Sequence, residues 1–306
     1  MSQRLHALDN GFRPQTVKFS SGDGTVVGHL YLPHDHDPTR RYPGVAVGGS
    51  FSSVKEQMAG IHAGELARRG IIALAIDYRN YGESTGTIRQ FEDPASKAAD
   101  LLAALTFLRN RPDVAGTGLL GVCTSGSTVV HAAAEGPDVG AVATIAGYFL
   151  EPSLHPLLQF GKWRVERRRR QGREARALFD RTGTVTTIPA YHPVDVRAVN
   201  LVPMPYYLSR RRGRVPTWRN EFAELGWETF LDFDAVAKAS AVNVPTLLIH
   251  SKMAAFPKQA IKVYDRLAGP KELHWAKGSH FSFYDKPAVV RDASDRVAAH
   301  FHAHLT

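Results

Sequence analysis

One cysteine occurs in this chain, within Gly118-Leu119-Leu120-Gly121-Val122-Cys123-Thr124-Ser125-Gly126. A short apolar run ends there in small residues around a nucleophilic side chain. It passes directly into Ser127-Thr128-Val129-Val130-His131-Ala132-Ala133-Ala134, which suits a helix. A strand that turns abruptly into a helix crowds its backbone, so the flanking residues must be small. The apex residue is held in strained geometry, its side chain exposed at a helix N-terminus. A thiol in that position suits acyl transfer, because helix-terminal N–H groups and a nearby imidazole favour the thiolate. Ser125 is the rival hydroxyl, two residues past the apex, where the turn needs smallness more than reactivity.

Fourteen histidines occur in the chain, and His280 differs from most in its surroundings. It sits in Gly278-Ser279-His280, a loop between the last apolar strand pattern and the final helical pattern. His29, His250 and His274 fall on strands, and His62, His131, His300, His302 and His304 on helices, where structural roles suit them. His280 is therefore the candidate general base and acid. The oxyanion donors would be backbone N–H groups: that of Thr124, and one near Ser50 and Phe51.

The elements that must position these groups read as an alternation of strands and helices. Gln15–Ser20 and Thr25–Leu32 flank the turn Ser21-Gly22-Asp23-Gly24 as a hairpin. Strand patterns follow at Tyr42–Val47, Ile71–Ile76, Val139–Ile145, Thr246–His250 and Lys271–Ala276. Helical patterns cover Val54–Arg69, Pro94–Arg111, Pro257–Leu267 and Pro287–His304. Right-handed crossovers turn this order into an α/β fold, a doubly wound, mostly parallel sheet with an antiparallel hairpin at one edge. Roughly ninety residues between two of the strands, 150–244, lack a clear strand pattern and are too many for a plain loop.

The chain resembles the α/β-hydrolase superfamily over nearly its whole length, and within it the dienelactone-hydrolase-type branch. The resemblance rests on four motifs in order: Gly48-Gly49-Ser50-Phe51, Asp77-Tyr78-Arg79-Asn80-Tyr81-Gly82-Glu83-Ser84, Gly121-Val122-Cys123-Thr124-Ser125, and Gly278-Ser279-His280. It implies a core of residues 1–149 and 245–306, with 150–244 as an inserted helical cap. It also implies a cofactor-independent hydrolase without a metal, acting on a carboxylic ester, thioester or lactone through Cys123 and His280. Ser50, Tyr148, Phe281 and Phe283 would lie at the substrate pocket. Acyl transfer or cyclisation in small-molecule biosynthesis is the alternative using the same acyl-cysteine.

One part of the family pattern is broken. After Pro245-Thr246-Leu247-Leu248-Ile249-His250 such enzymes commonly place an acid that orients the histidine, and here Ala254 occupies that position. Three explanations stand side by side. The acid could lie at Glu151, after the preceding strand; the pair could act as a Cys–His dyad; or the site could bind without hydrolysing.

Composition narrows the setting. With 43% apolar and 22% charged residues the chain has an ordinary globular balance. A single cysteine excludes an intrachain disulfide and a multi-cysteine metal cluster. No apolar leader or spanning run is present, so the expected location is a reducing cytoplasm with no membrane partner. The net charge is +9, and residues 150–244 carry 16 Lys and Arg against 10 Asp and Glu. No nucleic-acid-binding motif accompanies that charge, which suits a solvated basic face or a rim that attracts anions; the partner the resemblance implies is a small acyl substrate, to which such a rim would add an anionic preference.

Overall fold

A computed structural model describes His6 and residues 11–306. β1 (Gln15–Ser21) and β2 (Gly24–Tyr31) form the hairpin, and β3 (Tyr42–Gly48) follows. α1 (Met58–Ala67), β4 (Ile72–Asp77) and α2 (Pro94–Arg109) lead to β5 (Val114–Val122), α3 (Ser125–Glu135) and β6 (Ala141–Ile145). The next stretch is mainly helical, with α4 (His155–Leu158), α5 (Lys162–Thr182), α6 (Pro205–Leu208), α7 (Trp227–Asp232) and α8 (Ala235–Lys238). It also contains the two-residue strands β7 (Thr187–Ile188) and β8 (Phe222–Ala223), which pair with each other. The chain closes with β9 (Thr246–His250), α9 (Pro257–Arg266), β10 (Lys271–Trp275), α10 (Ser282–Asp285) and α11 (Pro287–His304).

Eight strands make one sheet in the order β1-β2-β4-β3-β5-β6-β9-β10. Pairing is antiparallel from β1 through β2 to β4 and parallel across the rest. Every residue of β3, β4 and β6 is buried, as expected when helices cover both faces of a parallel sheet. One apolar cluster joins the sheet to α1 and α11, and a second joins its other face to α2, α3 and α9. The carboxyl ends of β3, β4, β5 and β10 lead into the loops that carry the motifs, the edge where wound sheets place their sites.

α5 shows why a strongly basic segment is still a helix. Its buried residues are Val165, Arg168, Gly172 and Ala175, one narrow stripe at helical spacing. Its other side chains meet water, and Gly183 at φ 72° ends it in the left-handed conformation. Among the described residues no helix is long and apolar enough to cross a membrane.

The motif Asp77 to Ser84 is a structural knot. Asp77 accepts from the Lys55 backbone N–H at 2.7 Å, the Lys55 ammonium at 2.9 Å and the Glu83 N–H at 2.9 Å. Ser84 donates to the Asp77 carbonyl at 2.6 Å and accepts from Val27 N–H. Arg79 reaches Asp100 at 2.6 Å. Gly82, at φ 50°, leaves no room for a Cβ, which would lie 2.1 Å from the Asp77 carboxylate. Lys55 follows directly on the Gly48–Val54 loop, so this knot fixes the loop at its far end. Burial and the neighbouring Glu56 raise the Asp77 carboxyl, while Lys55 opposes them. Breaking a fully buried ion pair by removing one partner typically costs about 3–5 kcal/mol. Lys55→Ala is therefore expected to lower unfolding stability by about that amount, read from urea midpoints. An unchanged midpoint would show that the knot is stabilised elsewhere.

Candidate functional site

β5 ends at Val122 and α3 begins at Ser125, leaving Cys123 and Thr124 to make the whole turn. Cys123 takes φ 57°, a left-handed conformation that a residue with a Cβ adopts only under constraint. Close packing imposes it. A Cβ on Gly121 would lie 2.2 Å from the Ser125 carbonyl oxygen, and one on Gly126 would lie 2.8 Å from the Gly147 backbone. Cys123 N–H donates to Ile145 O at 3.1 Å, and its carbonyl accepts from Gly126 and Tyr148 N–H, each at 2.8 Å.

Ser125 is not free to react. Its hydroxyl donates to the Gly49 carbonyl and lies 2.7 Å from the Tyr78 hydroxyl. It thus staples the turn after β5 to the loop after β3. That loop brings the Phe51 N–H to the Cys123 sulfur, where the Thr124 N–H also points. Two backbone N–H groups from separate elements thus face the sulfur at the apex.

The imidazole arrives from the loop after β10. His280 Nε2 lies 3.3 Å from Cys123 Sγ and 3.2 Å from the Tyr284 hydroxyl. Residues 157 positions apart in sequence thus meet at the carboxyl edge of the sheet. The loop is braced by Ser251 Oγ donating to Gly278 O at 2.6 Å and by a bridge between Met253 and Ser279.

No carboxylate stands behind the imidazole among the described residues. His280 Nδ1 instead faces the backbone N–H of Ala255 at 3.4 Å. The hydrogen bonds of Glu151 go elsewhere, to Gln259 at 3.1 Å and Lys262 at 2.7 Å. Those partners, on α9, hold the Glu151 carboxyl below its usual range despite burial. The expectation that Glu151 serves His280 is therefore corrected: its charge is spent on a lysine. Asp285 is also committed, paired to Arg212 through contacts of 2.6 and 2.9 Å. It ends α10 as a fully buried residue.

Phe51, Cys123, Thr124, Tyr148, Phe281 and Tyr284 are among the residues lining a cavity of about 180 Å³ above the sulfur. Tyr191, Asn200, Met204, Tyr207 and Phe230 close it from the 150–244 segment. Two expectations fail here. Ser50 is buried against the Tyr207 hydroxyl and does not line the cavity. Phe283 is buried in the core, with its carbonyl accepting from His62 Nε2 at 2.9 Å. Residue count from His280 could not show that α10 turns Phe283 inward and Tyr284 toward the sulfur. Of the other aromatic residues in the segment, Trp218 and Trp227 are core residues, and Trp163 is 64% exposed.

The electrostatics also differ from the sequence expectation. Burial pushes the Cys123 thiol up to about 11, outweighing hydrogen bonds from Tyr284 and the Thr124 and Phe51 N–H groups. Burial, with a smaller contribution from His250, lowers His280 to about 4. His280 is half-buried and lines the cavity. Both shifts, caused mainly by burial, favour an uncharged thiol and imidazole over an ion pair at rest.

No family model matches this chain. It is 30% identical over 319 residues to the uncharacterised protein PA2218 of Pseudomonas aeruginosa, covering 94% of this chain and 80% of the relative. The solved structure of PA2218 superposes with a TM-score of 0.84, over 100% of this chain and 95% of the other, at 27% identity. The structure of the α/β-hydrolase GrgF from Penicillium sp. sh18 gives a TM-score of 0.81 over 96% and 99%, at 19% identity. Thiohydrolase aneE of Aspergillus aculeatus is 26% identical, covering 85% of this chain and 83% of the relative. Further relatives bear the names thiohydrolase and acyltransferase. The chain belongs to the family that includes PA2218, and its fold is that of the α/β-hydrolases.

A neutral resting pair has a measurable consequence. Iodoacetamide alkylation of Cys123 is expected to be slow at pH 7 and to accelerate toward an apparent pKa near 11. A rate already at its plateau by pH 6 would mean a thiolate–imidazolium pair. Stability follows the same groups. The unfolded chain binds a proton at an ordinary histidine pKa of 6.5, so the His280 contribution is present above that pH and lost toward about 4. The thiol contribution is present below its ordinary 9.0 and is lost as the pH rises toward about 11.

Proposed function

We propose that this protein is a cysteine-dependent acyl hydrolase whose substrate is a thioester, with Cys123 as nucleophile and His280 as general base and acid. The observation that carries this reading is the imidazole nitrogen 3.3 Å from the sulfur at a left-handed elbow, with the Thr124 and Phe51 N–H groups beside it. The cysteine at the elbow also supports the dienelactone-hydrolase-like branch. The thiohydrolase names among the relatives support a thioester over a lactone.

The sequence of events follows from the neutral pair. As Sγ attacks the acyl carbon, its proton passes to His280 Nε2, and the carbonyl oxygen takes its negative charge toward Thr124 and Phe51 N–H. Collapse expels the leaving thiolate, which takes the proton from His280. Water then repeats the steps on the acyl-cysteine and releases the acid. His280 must carry its own proton on Nδ1 for this, and the Ala255 N–H favours the other tautomer. A hydrogen bond of that kind is worth about 0.5–1.5 kcal/mol net, a modest barrier to the active form. With no acid to steady the imidazolium, a thiol is the suitable nucleophile, because it releases a proton more readily than a hydroxyl.

The cavity limits the acyl group. At about 180 Å³ it is close to the roughly 150 Å³ engineered cavity that holds benzene, so it suits an aromatic or short branched acyl chain. Residues 150–244 act as a cap in this reading, since five of the lining side chains come from it. Transfer to a hydroxyl or amine acceptor is the second reading, favoured by the largely aromatic lining that would compete with water.

Intact-mass spectrometry after mixing with an aryl or short-chain acyl thioester tests both readings. Wild-type protein is expected to gain one acyl mass that decays in water, while Cys123→Ala gains none and loses at least about 10³-fold of turnover. His280→Ala is expected to acylate at least about 10²-fold more slowly. An adduct that persists until an acceptor is supplied would select the transferase. Full turnover in Cys123→Ala would end the cysteine mechanism.

A further inference from the structure

We propose that the outer face of α5 and the 194–199 loop bind the phosphorylated pantetheine end of the thioester whose acyl group enters the cavity. This deepens the thioester reading and rests on it. The site is a concave groove of about 270 Å³, lined by Trp163, Arg164, Arg167, Arg168, Val196 and Arg197 among others.

On the α5 side of the groove the arginine charges have no carboxylate of their own among the described residues, although Arg197 opposite them has one. Neighbouring arginines of the segment are paired: Arg169 with Asp232, Arg170 with Glu174, Arg176 with Glu228, and Arg197 with Asp195. Among the described residues, Arg164, Arg167 and Arg168 have no carboxylate within ion-pair distance. Glu224 and Asp195 act on Arg168 only from farther off. Arg168 is 4% exposed, and its neighbours Arg164 and Arg167 add repulsion to the cost of burying it. Its Nη2 is used on the carbonyls of Val196, Arg197 and Ala198, and Trp227 covers one face of the guanidinium. Three guanidiniums converging on a hollow, two of them exposed enough to reach a ligand, form a site for a polyanion such as phosphate.

The groove lies on the same short segment as the catalytic cavity. Arg197 faces the groove, and Asn200, three residues on, lines the cavity. Three residues of chain span at most about 11 Å between Cα atoms. Asn200 is held by its own hydrogen bonds to Ala190 and by a bridge to Tyr191, so groove and cavity share one fixed wall. A long flexible thioester handle can therefore run from the sulfur over this loop to the arginines. Trp163, exposed at the rim, offers an aromatic face that a nucleotide base could use and a carrier protein would not need.

The experiment compares benzoyl-coenzyme A with the benzoyl thioester of N-acetylcysteamine, which lacks phosphate. Wild-type protein is expected to prefer the phosphorylated substrate in kcat/KM. Arg167→Glu, which removes a side chain with no ionic partner among the described residues, is expected to reduce that preference about 10- to 100-fold through KM. Arg173→Glu, an equal charge change on α5 outside the groove, is expected to retain it. Equal use of both substrates by the wild type, or equal effects of the two substitutions, would overturn the groove. Calorimetric binding of coenzyme A to Cys123→Ala protein separates this proposal from its parent. If neither thioester turns over, the hydrolytic reading fails, yet binding that Arg167→Glu abolishes still upholds the groove, and no binding ends it. Trp163→Ala then distinguishes the source: weaker coenzyme A binding selects the free nucleotide thioester, and unchanged binding selects the same group on a carrier protein.

Discussion

The left-handed backbone at Cys123 is the constraint on which the site depends. Such a conformation costs on the order of 1–3 kcal/mol for a residue with a Cβ, so its surroundings must over-determine it. They do so through contact distances that exclude side chains at Gly121 and Gly126 and through hydrogen bonds on both sides of the Cys123 peptide unit. Ser125 then transmits the geometry sideways by donating to Gly49 O, and Tyr78 locks Ser125. Because Tyr78 belongs to the Asp77–Ser84 turn, that motif acts as scaffolding for the site. It sets where Phe51 N–H stands relative to the sulfur.

Charge economy explains the rest of the geometry. A cavity lined by aromatic rings lowers the local dielectric, which strengthens every aligned dipole and penalises every isolated ion. In that setting a helix N-terminus and two N–H groups do not ionise the thiol in the resting state. In the proposed mechanism they act later, when charge develops on a carbonyl oxygen. The missing acid fits the same logic. A carboxylate at position 254 would favour a charged imidazole, whereas the backbone N–H of Ala255 favours a neutral one.

The parts legible in sequence were those fixed by backbone sterics. Small residues about an apex, an apolar run before it and a helix after it leave few alternatives, so the turn at Cys123 could be read directly. The loop carrying His280 was legible because it lies between the last strand and the last helix. Side-chain direction within short helical turns was not legible. Ser50 and Phe283 turn into the interior, while Tyr284, one residue on, meets both His280 and the sulfur. Glu151 looked available because the residues that bind it, Gln259 and Lys262, lie more than a hundred positions away. The unpaired state of Arg168 was equally hidden, since a run of four arginines does not show which one the helix buries.

Residues 150–244 complete the site from outside the sheet. Tyr191 donates from its hydroxyl to Phe51 O at 3.0 Å, and Tyr207 binds Ser50. Both contacts fall on the loop whose N–H faces the sulfur, and the rings of Tyr191 and Tyr207 stack with centroids 4.5 Å apart. Arg212 extends from the same segment to Asp285, directly after Tyr284. The loop beside the sulfur and the helix beside the imidazole are thus each held by a partner from this segment. Any displacement of 150–244 must alter the position of Phe51 N–H and of Tyr284 together. That coupling is why the segment is more than a passive cover: it holds both the loop and the helix that flank the Cys123 sulfur and the His280 ring.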